Sequence, residues 1–110
     1  MKKFDEIGLD NKILNSLKEM GFKEPTPIQS KAIPHLMSSN QDIIATAQTG
    51  TGKTAAFGLP SIHLTNIEIK VPQTLVMCPT RELCIQIARD LTIFSKYLPG
   101  INIVAIYGGA

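Results

Sequence analysis

No apolar run in this sequence approaches the length of about 18 residues that a membrane-crossing helix needs. The opening residues, Met1-Lys2-Lys3-Phe4-Asp5-Glu6, have no apolar stretch behind the lysines and so lack the pattern of a secretory signal. Cysteine is scarce. Cys78 and Cys84 fit none of the usual zinc or redox spacings, and both sit in apolar segments. They read as buried, reduced thiols of a cytoplasmic protein. No charge of one sign dominates either: 11 Lys and Arg against 9 Asp and Glu leave a net charge of +2, which permits an anionic partner without demanding one. Repeats, low-complexity tracts and linkers are absent. What is present, 110 residues with 44% hydrophobic and 18% charged content, suits one small globular domain with a single core.

The most informative stretch is Ala47-Gln48-Thr49-Gly50-Thr51-Gly52-Lys53-Thr54. It follows the apolar run Asp42-Ile43-Ile44-Ala45-Thr46 and opens the helix-like segment Thr54-Ala55-Ala56-Phe57. That strand, loop and helix context is what a phosphate-binding loop requires. Gly50 and Gly52 let the backbone fold around an anion. The amides of the loop and the positive end of the next helix then face the phosphates. Lys53 adds a full charge at the β- and γ-phosphates, and the Thr54 hydroxyl is a Mg²⁺ ligand. The general pattern begins with Gly, where this chain has Ala47.

Before the loop, Leu9, Ile13, Leu17 and Met20 recur at helical spacing, with Asp10 or Asn11 as N-cap and Gly21 as stop. A second helix begins at Thr26-Pro27-Ile28-Gln29, where Thr26 and Gln29 form a capping box and Pro27 takes the first helical position. Gln29 has two readings, a cap or a carboxamide that pairs with the N6 and N7 edge of adenine. Pro34 is expected to kink or restart this helix, and Pro60 to interrupt the one after the loop. His35 and His63 read as structural.

After the loop, Thr74-Leu75-Val76-Met77-Cys78 and Ile101-Asn102-Ile103-Val104-Ala105-Ile106-Tyr107 read as buried parallel strands. Together with 42–46 they give an α/β fold, a parallel sheet with flanking helices. Thr80 caps a helix carrying Leu83, Ile87, Leu91 and Phe94 on one face. Arg81 lies in its first turn, against the helix dipole, a placement that invites an anion.

Four landmarks in order make this chain resemble the DEAD-box RNA helicases. Gly21-Phe22-Lys23-Glu24-Pro25-Thr26-Pro27-Ile28-Gln29 resembles the family's Q motif, with Phe4 at the place of its isolated upstream aromatic. Residues 47–54 resemble motif I, including the leading Ala47. Pro79-Thr80-Arg81-Glu82-Leu83 resembles motif Ia, and Gly108-Gly109 the start of the Gly-Gly motif. Cys84 is a departure, since the family usually has Ala there.

The resemblance covers essentially the whole chain and implies a partial RecA-like domain. Residues 1–110 would be the N-terminal portion of the first of two such domains. The implied function is the ATP-binding part of an ATP-dependent RNA helicase that remodels short duplexes. ATP and Mg²⁺ are implied, with Phe4, Phe22, Pro25, Gln29 and residues Ala47, Gln48, Thr49, Gly50, Thr51, Gly52, Lys53 and Thr54 at the nucleotide. Lys53 and Thr54 are the catalytic candidates. Pro79, Arg81 and Gly109 become candidates for the RNA sugar-phosphate backbone. No Asp-Glu-Ala-Asp and no Ser-Ala-Thr occurs. The rival reading is therefore a nucleotide-binding fragment with no turnover of its own. Apolar strands with few helices to cover them further imply that such a fragment self-associates.

Overall fold

Three of four α-helices take their starts from capping side chains that the sequence spells out, and a computed structural model describes them within residues 3–47 and 52–109. A 3-10 turn at Phe4–Glu6 leads to α1, Asn11–Glu19, whose N-cap Asp10 accepts the Lys12 N–H through Oδ1 at 2.8 Å. In α2, Pro27–Ser38, the Thr26 hydroxyl accepts from the Gln29 N–H. Gln29 Oε1 returns the favour by accepting the Thr26 N–H at 2.9 Å, so the expected capping box is complete. In α4, Arg81–Phe94, the Thr80 hydroxyl accepts the Leu83 N–H at 3.1 Å. Only α3, Lys53–Leu64, starts without a side-chain cap among these four, on Gly52.

Both interior prolines sit in helices that run on unbroken, contrary to the expected kink at Pro34 and interruption at Pro60. A helical proline forfeits one backbone hydrogen bond and costs about 3 kcal/mol in isolation. Here α2 packs along α3, and Pro60 is itself buried. Packing of the apolar faces outweighs the missing bond.

The core lies where the helices meet. Ile13 and Leu17 of α1, Ile33 of α2, Leu59 and Ile62 of α3 and Phe94 of α4 form one cluster, closed at the side by Phe4 and Leu9. The helical spacing of Leu9, Ile13 and Leu17 therefore marks a packing face, as the sequence implies. Polar links hold the ends of the cluster. The Ser16 hydroxyl donates to the Ile93 carbonyl, and the Asp10 N–H donates to His63 Nδ1 at 3.1 Å, which gives His63 the structural role expected of it. Lys96 and Glu19 form an exposed ion pair at 2.7 Å.

The expected sheet is not there. Among the described residues no strand ladder forms, and the runs 42–46, 74–78 and 101–107 are without regular structure. They are not buried on two faces either, since Ile44 is 97% exposed, Leu75 84% and Ile106 86%. The strand period survives all the same. Val76 and Cys78 are half-buried between exposed neighbours, and Ile101, Ile103 and Ala105 alternate with exposed Asn102, Val104 and Ile106. Each of these two runs therefore turns one face inward, and both line a cleft of about 720 Å³ together with Ile87 and Leu91. A ladder needs a partner strand about 4.8 Å away, and no described run supplies one to another. Apolar composition made these segments look like interior strands; without adjacent partners they remain extended and open on one side.

Candidate nucleotide and RNA sites

Gln29 joins two segments that are 23 residues apart in sequence. Its Oε1 is held by the Thr26 N–H within the capping box, which fixes the side-chain rotamer. Its Nε2 then donates to the Gly52 carbonyl at 3.1 Å. The side chain is only 2% exposed, so both amide groups are satisfied inside the protein. Gly52 has φ +83, and a Cβ there would stand 2.1 Å from Gln29 Nε2. Only glycine allows the backbone to come so close in that conformation.

From Gly52 the chain enters α3. Its first amides point out of the helix start with no side chain to cap them, whereas Asp10, Thr26 and Thr80 serve the other three helices. Lys53 is exposed and Thr54 half-buried at this same end. A positive helix terminus with a lysine and a hydroxyl in its first turn is suited to phosphate oxygens. Ala47 is half-buried at the end of the preceding run. Gln48, Thr49, Gly50 and Thr51 lie outside the described residues.

The two aromatic candidates meet in the interior. The α1 terminus places Phe22, whose N–H donates to the Leu17 carbonyl at 2.9 Å while the Gly21 N–H donates to Lys18 at 3.1 Å. These two bonds form a Schellman turn that aims Phe22 back at the core. Its ring centre is 6.0 Å from that of Phe4 and 6.0 Å from that of Phe94. Phe4 is almost wholly buried, so its ring supports Phe22 in this arrangement, and Pro25 is buried beside the α2 cap.

A second cluster gathers the candidates from the other half of the chain. Pro79 and Arg81 are exposed at the start of α4. The Arg81 guanidinium lies over the Tyr107 ring, 5.8 Å from its centre. Gly109, at φ +74, is so close that a Cβ would stand 2.5 Å from Arg81 Nη2. Motif Ia and the Gly-Gly turn are thereby brought into contact.

Comparisons with known proteins identify the family. The DEAD/DEAH box helicase family model matches residues 26–110. The chain belongs to that family. It is 49% identical over 106 residues to the ATP-dependent RNA helicase DeaD of Escherichia coli K12, covering 96% of this chain and 17% of the relative. The chain thus spans about a sixth of the length of that curated relative. Among solved structures, the RNA helicase Prp28 of Chaetomium thermophilum bound to ADP matches with a TM-score of 0.86 and 40% identity, over 100% of this chain and 28% of that one. Dbp5 of S. cerevisiae bound to RNA and ADP BeF3 matches with a TM-score of 0.84 and 38% identity, over 88% of this chain and 25% of that one.

Within this family frame, two contacts escaped the sequence reading. The bond from Gln29 to Gly52 links two motifs that were read separately. Tyr107, read only as a strand residue, stacks on Arg81. The first had a trace in the sequence, since a buried glutamine with a capping job still has one amide donor to place. Nothing local to Tyr107 announces its partner.

Proposed function

We propose that this chain is the ATP-binding part of an ATP-dependent RNA helicase, the N-terminal portion of the first of two RecA-like domains. The observation that carries the proposal is Gln29, buried and bonded to the Gly52 carbonyl at the start of α3, the α-helix without a side-chain cap. In this reading the residue that reads adenine touches the helix start that holds the phosphates. Within it, Lys53 and the first amides of α3 hold the phosphates, and Gln29 offers the adenine edge the second Nε2 hydrogen and the second Oε1 lone pair that its bonds to Gly52 and Thr26 leave over. Phe22, backed by Phe4 and Phe94, and Pro25 shape the base side of the site. Bound Mg²⁺ neutralises charge on the phosphate oxygens, and Thr54 is the residue that would hold it. The remaining loop residues, Ala47 and Gln48, Thr49, Gly50 and Thr51, complete the proposed contacts.

Support for the RNA side comes from Arg81 and Gly109 meeting on an exposed surface next to Pro79. In this reading they offer charge and backbone to the sugar-phosphate chain, and contacts of that kind carry no sequence information, so sequence preference is weak. The finer fold reading, a parallel sheet flanked by helices, is proposed for the full-length protein, where neighbouring strands would pair with the three extended runs. The compartment proposed is the cytoplasm; the observation behind it is only that no helix among the described residues is long and apolar enough to cross a membrane. By itself the chain fits a nucleotide-binding fragment without turnover. Calorimetric titration of ADP into wild type and Lys53→Ala tests the site. Affinity is expected to fall at least about tenfold in the variant with an unchanged circular dichroism spectrum, as loss of a charge-assisted contact requires. Equal affinities would place the phosphates elsewhere.

A further inference from the structure

Arg81 opens α4, and its backbone is fixed there by the Thr80 cap, whose hydroxyl accepts the Leu83 N–H at 3.1 Å. A helix start is positive, so the dipole repels a guanidinium in this turn. What holds the side chain comes from the far end of the 101–107 run. The guanidinium carbon lies over the face of the Tyr107 ring, 5.8 Å from its centre, within the reach of about 6 Å for a cation–π contact. Gly109, at φ +74, brings its backbone so near that a Cβ would stand 2.5 Å from Arg81 Nη2 and 3.4 Å from Cζ. A ring and a backbone two residues apart thus confine one side chain. Among the described residues no carboxylate pairs with Arg81; the ion pair found there joins Lys96 to Glu19. The donors of the guanidinium fork are therefore not taken up by a carboxylate.

We propose that Tyr107 is a positioning residue for Arg81: its ring keeps the guanidinium beside the Gly-Gly turn, placed for the sugar-phosphate backbone of single-stranded RNA. The role rests on the RNA reading of Arg81 and Gly109. Arginine has large rotamer freedom, and ordering it on a ligand costs binding free energy. A ring that already restricts the side chain removes part of that cost. The negative ring face also offsets the repulsion from the helix start. A cation–π contact uses no N–H group, so the donors of the fork stay available for phosphate oxygens. The attraction comes from the ring face, so phenylalanine should serve in place of Tyr107 and leucine should not. Tyr107 is 38% exposed, and at an exposed site such a contact corresponds to about two- to fivefold in affinity.

The test has one readout without RNA and one with it. Arg81 and Arg89 are the chain's two arginines, so NMR of the chain carrying isotope-labelled arginine shows one Nε–Hε signal from each. Without RNA, the ring current of Tyr107 should hold the Arg81 signal upfield of the Arg89 signal. Tyr107→Leu should move it toward Arg89, and Tyr107→Phe should leave it in place. Tyr107 stands outside the core cluster, so the Arg89 signal and the circular dichroism spectrum should stay constant in both variants. Anisotropy with a labelled single-stranded oligouridylate supplies the second readout. Arg81→Ala should weaken binding, Tyr107→Leu should weaken it about two- to fivefold, and Tyr107→Phe should restore it. In the Arg81→Ala background Tyr107→Leu should cause no further loss. An Arg81 signal that ignores Tyr107→Leu would overturn the proposal. So would native affinity in Tyr107→Leu while Arg81→Ala weakens binding, or an equal loss in both backgrounds, which would make Tyr107 an RNA contact itself. Native affinity in Arg81→Ala would instead be the failure of the RNA reading, and the proposed role of Tyr107 would fall with it.

Discussion

Gln29→Glu keeps the shape of the side chain and changes one atom, so it isolates the bond between the α2 cap and the start of α3. The carboxyl oxygen in place of Oε1 still accepts the Thr26 N–H, a contact of 2.9 Å in the native chain. The other terminal atom faces the Gly52 carbonyl, 3.1 Å from the native donor. A protonated carboxyl supplies an O–H there, whereas a carboxylate sets one acceptor against another. At 2% exposure little water is available to relieve the mismatch. Burial and hydrogen bonding therefore both favour the neutral form and raise the carboxyl pKa above its unfolded value of about 4.3. In the interval between the two values the native state keeps a proton that the unfolded state has released. Stability of the variant then falls as pH rises through that interval and levels off above it. Each unit of separation removes about 1.4 kcal/mol. Leaving one buried group unsatisfied costs about 1–3 kcal/mol, so a deficit of that size is expected at neutral pH. Below about pH 4 the deficit should nearly vanish, because both states then hold the proton. Denaturant titrations followed by circular dichroism at several pH values, with wild type in parallel, measure the difference. A deficit that does not change with pH would refute the geometry assigned to Gln29.

Gly109→Ala places a methyl 2.5 Å from Arg81 Nη2 at φ +74, a conformation that costs a side chain about 1–2 kcal/mol, so it should displace Arg81 and weaken binding to single-stranded RNA. Fluorescence anisotropy with unrelated RNA sequences should show the same loss for each, and unchanged affinity would remove Arg81 and Gly109 from the RNA surface. The isolated chain should release no phosphate from ATP with or without RNA, because charge neutralisation and water positioning in phosphoryl transfer are shared among groups of which only Lys53 and Thr54 are identifiable here. Turnover that survives repurification and disappears in Lys53→Ala would contradict this. Exposed Leu75, Met77, Val104 and Ile106 on unpaired extended runs should make the chain self-associate. Sedimentation should show concentration-dependent mass that Leu75→Lys with Val104→Lys reduces, and a monomer at every concentration would argue against it.

Helix starts were legible residue by residue because their determinants are local. Asp10, Thr26 and Thr80 cap the helices they were expected to cap, and Gln29 closes the box with Thr26. Strand pairing is not local. The runs 74–78 and 101–107 carry the right composition, and their burial even alternates, yet a ladder depends on which other run lies beside them, and none forms among the described residues. The prolines misled for a related reason, since propensity weighs one lost bond while α2 and α3 are held by the apolar faces they bury together. Motif residues could be picked out one by one in the sequence, but not their mutual contacts. Gln29 against Gly52 and Arg81 against Tyr107 exist only once the helices have packed.

The measurement that bears most directly on the account is the affinity of the wild-type chain for ADP against GDP, by calorimetry under matched salt and Mg²⁺. Gln29 pairing with the adenine edge is worth about 1–3 kcal/mol of discrimination, or roughly 5- to 150-fold in affinity. The account predicts that ADP binds more tightly by a factor in that range. Equal affinities for the two nucleotides would contradict it, because the Gln29 carboxamide and the phosphate-binding start of α3 would then not belong to one adenine-nucleotide site.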